Sequence, residues 1–282
     1  MITCNGALYF QVNTMIQSPL RYPGGKTRAI QLMKDFIPSG FDEYREPFIG
    51  GGSFFVFLRQ TYPDMKCWIN DLNPELYFFW KYAQIDSEIL AREILKIRRQ
   101  NKDGRKLFNE LVSVHTHKLT EFERAVRFFV LNRITFSGLV EAGGYSQQAF
   151  DGRFTESSIE RVAVLSGILQ GVKITNFDYR KLLTGGDASI FTFLDPPYLK
   201  ATKSRLYGKN GILHTDFDHD DFAKTMKACA HSWLITYDDS PEIRKNFRFA
   251  TIHEWELQYG MNNYKQGKAE KGKELFICNY KK

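Results

Sequence analysis

The chain has 282 residues, and 39 Lys and Arg against 32 Asp and Glu leave a formal charge of +7. With 43% hydrophobic and 15% aromatic residues it can bury a sizeable core, which excludes a disordered chain. No apolar run approaches the roughly 18 residues that a membrane span needs.

The opening residues lack a basic n-region and a small-residue cleavage site, and Cys4, Cys67, Cys229 and Cys278 are isolated. Both features point to the cytoplasm, and the moderate basic excess points to a polyanionic partner. Residues 1–17 carry no motif and read as an N-terminal extension. Ile30, Leu32, Met33 and Phe36 then fall at helical spacing before Pro38 and Gly40. Residues 44–49 read as a strand running into Gly50-Gly51-Gly52, Phe54 to Leu58 resume a helix, and 66–69 form a strand that stops at Asn70-Asp71. Strand, Gly-rich turn, helix, strand and acidic tip open an α/β sheet that binds a nucleoside at its carboxyl edge. From about 77 to 164 the pattern changes to two or three helical stretches and a Gly-rich piece, 137–154, read as a hairpin or exposed loop. Strands resume at 172–177, 190–194 and 233–237, and 274–280 ends the chain. The economical reading is one α/β domain with an inserted module.

Four sites carry chemistry. Asp195-Pro196-Pro197-Tyr198 follows an apolar strand, and its two prolines fix φ and remove two N–H donors. The strand exit therefore offers a carboxylate and a carbonyl as acceptors beside an aromatic face, a set suited to the exocyclic amine of a flat base. Glu46-Pro47-Phe48-Ile49-Gly50-Gly51-Gly52-Ser53 lets backbone approach a ligand at a helix N-terminus, although Phe55 breaks the G-x-G-x-x-G dinucleotide pattern. Asp71 ends the next strand, where a carboxylate can bind ribose hydroxyls. Gly24-Gly25-Lys26-Thr27 resembles the end of a P-loop, but Leu20 stands where that motif needs glycine. Lys26 is free instead to bind a carboxylate.

In this order, RYPGGK, EPFIGGGS, NDLNPEL, NFDYRKLL, DPPY and KGKELFICNY resemble the Dam-like family of DNA adenine-N6 methyltransferases, from about residue 18 to the end. The resemblance implies a Rossmann-like, S-adenosylmethionine-dependent methyltransferase sheet with helices on both faces. Residues 18–78 and 165–282 would form the catalytic domain, and 79–164 an inserted, mostly helical target-recognition module with a hairpin. It further implies S-adenosylmethionine as donor, S-adenosylhomocysteine as product and no metal. Double-stranded DNA would be the substrate of a monomeric enzyme, with a cognate restriction enzyme as partner where it belongs to a restriction-modification pair. Tyr22 and Lys26 match cofactor contacts, Lys26 near the carboxylate. Phe48, Gly50 and Gly52 would line the methionine and ribose, Glu46 would hold the amino group and Asp71 the ribose hydroxyls. Phe177 and Asp178 would sit by the cofactor's adenine, and Asp195 would border both cofactor and target. Asp195, Pro196, Pro197 and Tyr198 would receive a flipped adenine. Accepting both N6–H bonds favours a pyramidal nitrogen and returns its lone pair for in-line methyl transfer. Cytosine-C5 chemistry, which needs a Cys nucleophile typically in a Pro-Cys pair, is excluded, since the chain has no such pair.

The matching DNA contacts are Arg21, Arg98, Arg99, Asn132, Arg133, Ser137, Glu141 and Arg153. Arg92, Lys96, Arg98, Arg99, Lys102, Arg105 and Lys106 against Glu93 and Asp103 give a local excess of five positive charges, suited to phosphates. Lys265, Lys268, Lys271 and Lys273 form a second basic stretch. Family members that read GATC usually carry Asn before the Gly-Leu pair and Arg two positions after Leu. Ser137 and Glu141 stand there, which leaves the recognition sequence open. His214, Asp216, Asp218, His219, Asp220 and Asp221 have the types of metal ligands but the position of a loop and helix start, where Asp is favoured. The competing reading is a methyltransferase of another planar amine, on RNA, protein or a small molecule.

Overall fold

The structure, a computed structural model, describes residues 15–21, 29–140, 143–199, 217–257 and 272–281. Its sheet contains Glu43–Glu46 (β1), Lys66–Asn70 (β2), Lys173–Thr175 (β3), Ile190–Leu194 (β4), Ser232–Asp238 (β5), Thr251–Leu257 (β6) and Gly272–Cys278 (β7). The spatial order is β3-β2-β1-β4-β5-β7-β6. The first five strands run parallel, β7 is antiparallel to β5, and β6 is antiparallel to β7. The helices are Ile30–Met33 (α1), Ser53–Thr61 (α2), Pro74–Gln100 (α3, broken at Asp86), Gly104–Ser113 (α4), Glu121–Ile134 (α5), Gln147–Arg153 (α6), Glu156–Ala163 (α7), Leu165–Leu169 (α8), His219–Ala228 (α9) and Pro241–Asn246 (α10).

Side chains on a strand alternate between faces, and here both faces are covered. Trp233, Ile235 and Tyr237 of β5 pack with Leu275 and Ile277 of β7 against Phe222 and Met226 of α9 and Ile243 of α10. Leu234, Phe276 and Cys278 belong to the other core, with Phe54, Phe55 and Leu58 of α2. Burial on both sides explains why β4 is apolar or buried at every position, as central parallel strands are. The architecture is the expected Rossmann-like α/β sheet, with helices on both faces.

Four local points depart from the expected pattern. The first strand stops at Glu46 rather than at residue 49, because Pro47 has no N–H to continue the ladder. The edge strand β6 escaped the pattern, since among its described side chains only Trp255 is buried. Among the described residues, five helices (α3–α7) occupy the stretch to residue 164, where two or three were expected. Asn73, Asp103, Thr120, Ser146 and Thr155 each accept a first-turn N–H, and Thr120 with Glu123 forms a reciprocal capping box. Among the described residues, the piece 137–154 forms no two-stranded hairpin. One antiparallel bridge, Thr135 to Tyr145, closes a loop, and α6 takes up the rest. These helices have no core of their own: Leu90, Ile94 and Phe129 lie in the same cluster as Phe191 and Phe193 of the sheet.

Candidate active site

The strand order reverses between β1 and β4, so a crevice opens at the carboxyl ends of β1, β2 and β4. On the β1 side the chain turns through Gly50 (φ 46°) and Gly52 (φ 63°), a left-handed geometry that costs glycine little. The Gly50 N–H donates to Asp71 Oδ2 at 3.0 Å, and the Asn73 N–H donates to Oδ1 at 3.0 Å. Asp71 thus joins the glycine turn to the tip of β2. Beside it, the buried Asn70 amide donates to the carbonyls of Pro47 (3.1 Å) and Phe177 (2.9 Å) and accepts the Phe177 N–H (2.8 Å). Trp80 of α3 closes the turn from behind. Its Nε1–H donates to the Gly50 carbonyl at 3.3 Å, and its ring leaves no room for a Cβ on Gly52, which would lie 2.6 Å from Cζ2.

Across the crevice, β4 runs into Asp195-Pro196-Pro197-Tyr198, with Pro196 buried and the other three half-buried. The buried Thr236 hydroxyl donates to Asp195 Oδ1 at 2.5 Å. Tyr198 donates its hydroxyl to the buried Glu274 at 3.1 Å, and the Leu199 N–H donates to Asp238 Oδ1 at 3.1 Å.

Electrostatics ties the two sides together. Burial pushes the Glu46 carboxyl well above the ordinary range, and the charges of Asp195 and Asp71 push the same way. The Tyr44 hydroxyl, at 2.6 Å, and the Phe55 N–H oppose them. Burial also raises Asp71 to about 6, against backbone N–H bonds from Asn73, Gly50 and Leu72. A strand edge where the Glu46 carboxyl feels the charges of both Asp71 and Asp195 suits a ligand that brings positive charge and hydroxyl or amine donors. Among the described residues no three His, Cys, Asp or Glu are grouped to hold a metal ion.

The model of the D12 class N6 adenine-specific DNA methyltransferase family matches residues 22–261. The chain belongs to this family. It is 28% identical over 231 residues to the type II methyltransferase M.MjaIII of Methanocaldococcus jannaschii, covering 74% of this chain and 77% of that one. It is 24% identical over 277 residues to the type II methyltransferase M1.LlaDCHI of Lactococcus lactis subsp. cremoris, covering 92% and 94%. The retron Ec67 DNA adenine methylase of Escherichia coli is 26% identical over 257 residues, covering 83% and 81%. The chain is therefore an enzyme of adenine-N6 methylation in DNA. No helix among its described residues is long and apolar enough to cross a membrane.

Glu46, Phe48, Gly50, Gly52, Asp71, Phe177, Asp195, Pro196, Pro197 and Tyr198 lie along this carboxyl edge of the D12 fold. Phe48 packs with Tyr179 and Phe217, ring centroids 5.3 and 5.9 Å away, while Phe177 is half exposed. Asp178 caps the turn Tyr179–Leu183 and pairs with Arg180 at 3.0 Å. Tyr22, Lys26, Glu141, Lys265, Lys268 and Lys271 lie outside the described residues.

The expected DNA contacts divide. Asn132 and Arg133, expected as DNA contacts, are both buried and turned inward. Asn132 is fully buried and exchanges two hydrogen bonds with the Arg21 backbone, and Arg133 donates to the carbonyls of Pro19 and Arg153. A polar residue in a recognition motif reads as a contact, yet a turn that docks on another segment needs the same amide. Arg98 donates to the Phe154 carbonyl at 2.7 Å and stacks over Phe150, and Arg99 pairs with Glu156 at 3.0 Å. Arg153 is exposed and Arg21 half-buried, its guanidinium on the Thr135 carbonyl at 3.1 Å. Ser137 adopts φ 56°, a left-handed geometry uncommon for a side-chain-bearing residue. In the acidic cluster, His214 and Asp216 lie outside the described residues and the others face different partners. Asp218 caps α9, His219 bonds Tyr237, Asp220 accepts from Asn246 and Asp221 from Arg180.

Sequence reasoning missed Asn70, Trp80, Thr236 and Glu274. Glu274 had a visible signal, a lone acid opening an otherwise apolar closing strand. Gly52→Ala should destabilise the fold by about 2 kcal/mol or more, adding ring overlap to left-handed strain. Gly40→Ala, also at positive φ (76°) but with nothing within 4 Å of its Cβ, should cost only about 1–2 kcal/mol. Denaturant unfolding of both variants checks this, and equal losses would remove the Trp80 contact as the cause.

Proposed function

We propose that the chain transfers a methyl group from S-adenosylmethionine to N6 of an adenine extruded from duplex DNA. The observation that carries the reading is the convergence of Glu46, Asp71 and Asp195 on one crevice at the sheet's switch point, beside a proline-rigid corner. The donor fits this set, because it brings an ammonium, a sulfonium and a ribose diol to buried carboxyl groups. When bound, it supplies an electrophilic methyl group.

The chain's own residues do the rest. Asp71, held by the Gly50 and Asn73 N–H groups, receives the ribose hydroxyls, and Glu46 receives the amino group. Phe48, Gly50 and Gly52 line the methionine and ribose, and Phe177 with Asp178 flanks the adenine ring. Tyr22 and Lys26 are assigned by family resemblance. At the corner, Asp195 and the Pro196 carbonyl accept the two N6–H bonds of the target base, while Pro197 keeps the exit rigid and Tyr198 stacks on the ring. Paired in this way, the amine turns pyramidal and its lone pair becomes available. Extrusion costs a few kcal/mol, which stacking and these hydrogen bonds offset.

DNA binding is assigned to the helices within residues 79–164. Support comes from a cluster of guanidinium groups. Burial lowers the pKa of Arg133, and Arg161, Arg21 and Arg153 lower it further by like charge. Arg161 keeps a buried Nε without a hydrogen-bond partner. Positive groups held this close favour an anion between them, and the DNA backbone supplies one.

Asp195→Ala should abolish methyl transfer to unmethylated genomic DNA while calorimetry still detects S-adenosylhomocysteine binding; full turnover in the variant would refute the corner's role. The ionised form of Asp71 is the one that accepts hydroxyl donors, so affinity for S-adenosylhomocysteine should be flat above pH 7 and fall with acid through about 6. Asp71→Asn should bind weakly with no such limb, and an unchanged acid limb would assign it to another group. Replacing Arg153 or Arg161 with Ala should reduce the slope of log affinity against log salt by about 0.9 for each lost phosphate contact. An unaltered slope for both would exclude the cluster from the interface.

A further inference from the structure

The closing motif of the chain has no assigned role, yet the strands beyond β4 supply three hydrogen bonds that hold the Asp195 corner. Thr236 lies on β5, one strand over from β4, and is fully buried. Its hydroxyl has one proton, and that proton goes to Asp195 Oδ1 at 2.5 Å. Glu274 begins the buried part of β7, is 1% exposed, and accepts the Tyr198 hydroxyl at 3.1 Å. Asp238, where β5 ends, takes the Leu199 N–H just past the corner. The two strands are registered so that Thr236 stands opposite Phe276 and Asp238 opposite Glu274. Within the corner itself, Pro196 and Pro197 have no N–H to offer.

We propose that Thr236 and Glu274 are positioning residues that clamp the catalytic corner from the β5–β7 side, Thr236 setting the rotation of the Asp195 carboxylate and Glu274 the plane of the Tyr198 ring. This rests on the assignment of Asp195 and Tyr198 to the target base. A carboxylate can rotate about its Cβ–Cγ bond, and an acceptor for an amine proton must present a lone pair in a fixed direction. A hydroxyl bonded to Oδ1 pins that rotation without touching DNA or cofactor. Likewise, a tyrosine ring that stacks on a base must not swing, and a hydrogen bond at its far end prevents this. Loss of either tether should slow the chemical step and leave cofactor binding intact.

The test is single-turnover methylation of unmethylated bacterial genomic DNA with tritium-labelled donor, alongside calorimetry with S-adenosylhomocysteine and thermal unfolding. Thr236→Val keeps the volume and removes the hydroxyl. It should slow the single-turnover rate about ten- to a hundredfold, as expected for a displaced catalytic group, with cofactor affinity within twofold. Thr236→Ser restores the hydroxyl and should stay within threefold of wild type. Should Thr236→Val not fold, Thr236→Ala takes its place in the same comparison. For the second tether, Tyr198→Phe and Glu274→Gln are combined: if Glu274 acts through the Tyr198 hydroxyl, the double variant should be no slower than the slower single one. A hydroxyl-free variant as fast as wild type, a Ser variant as slow as Val, or multiplying losses at the second pair would overturn the clamp. Wild-type protein that failed to methylate DNA would instead overturn the functional reading beneath it.

Discussion

Burial of negative charge at the carboxyl edge is the constraint on which the rest of the structure depends. A carboxylate out of water is expensive unless hydrogen bonds or a cation compensate it. Asp71 takes backbone N–H groups from two elements, Glu46 takes a hydroxyl and an N–H, and Asp195 takes a hydroxyl from a neighbouring strand. Even so, burial keeps the pKa of Glu46 and Asp71 above the usual carboxylate range. Compensation is therefore incomplete in the protein alone, and a cationic ligand would complete it.

The same economy links the helices to the crevice. Asn132 at the end of α5 holds the backbone of Arg21 at both its N–H and its carbonyl, and its side-chain amide also donates to the Gly138 carbonyl of the following turn. A Cβ on Gly138 would lie 2.5 Å from the Arg21 carbonyl oxygen, so the loop after α5 and the segment entering the Gly-Gly-Lys motif are packed backbone to backbone. Trp80 makes a second connection, from α3 to the glycine turn. Because these helices share one core with the sheet, a displacement of the loop after α5 is transmitted to the segment that leads into Tyr22 and Lys26. Packed interiors transmit such shifts rather than absorb them.

Legibility followed the range of the interaction. The strand 190–194 and the motifs at strand ends are local events, a run of apolar residues meeting glycine, proline or acid, and they stand where the pattern puts them. The edge strand β6 escaped because exposure on an edge leaves little apolar signal for periodicity to detect. Helix α6 escaped because Gly143, Gly144 and Gly152 gave its surroundings the look of a loop, while the Ser146 cap overrode it. Thr236 and Glu274 were illegible for a different reason. Their meaning lies in the spatial order β4-β5-β7, and nothing within either strand announces which strand comes beside it.

Ser137 shows how a residue can carry a backbone requirement inside a recognition motif. Its φ of 56° lies where Asn, Asp and Gly are the comfortable residues, and Asn is what the GATC-reading members of the resembling family usually carry before the Gly-Leu pair. Part of the demand at that position is therefore conformational: the turn must reverse between Thr135 and Gly138 to meet Arg21. A serine meets that demand at a cost of about 1–2 kcal/mol, while offering a hydroxyl in place of an amide. The exchange separates two properties that Asn combines, the shape of the turn and the donor–acceptor pair it presents. A chain that keeps the shape and changes the polar groups keeps the docking on Arg21 while changing the donors and acceptors the loop presents.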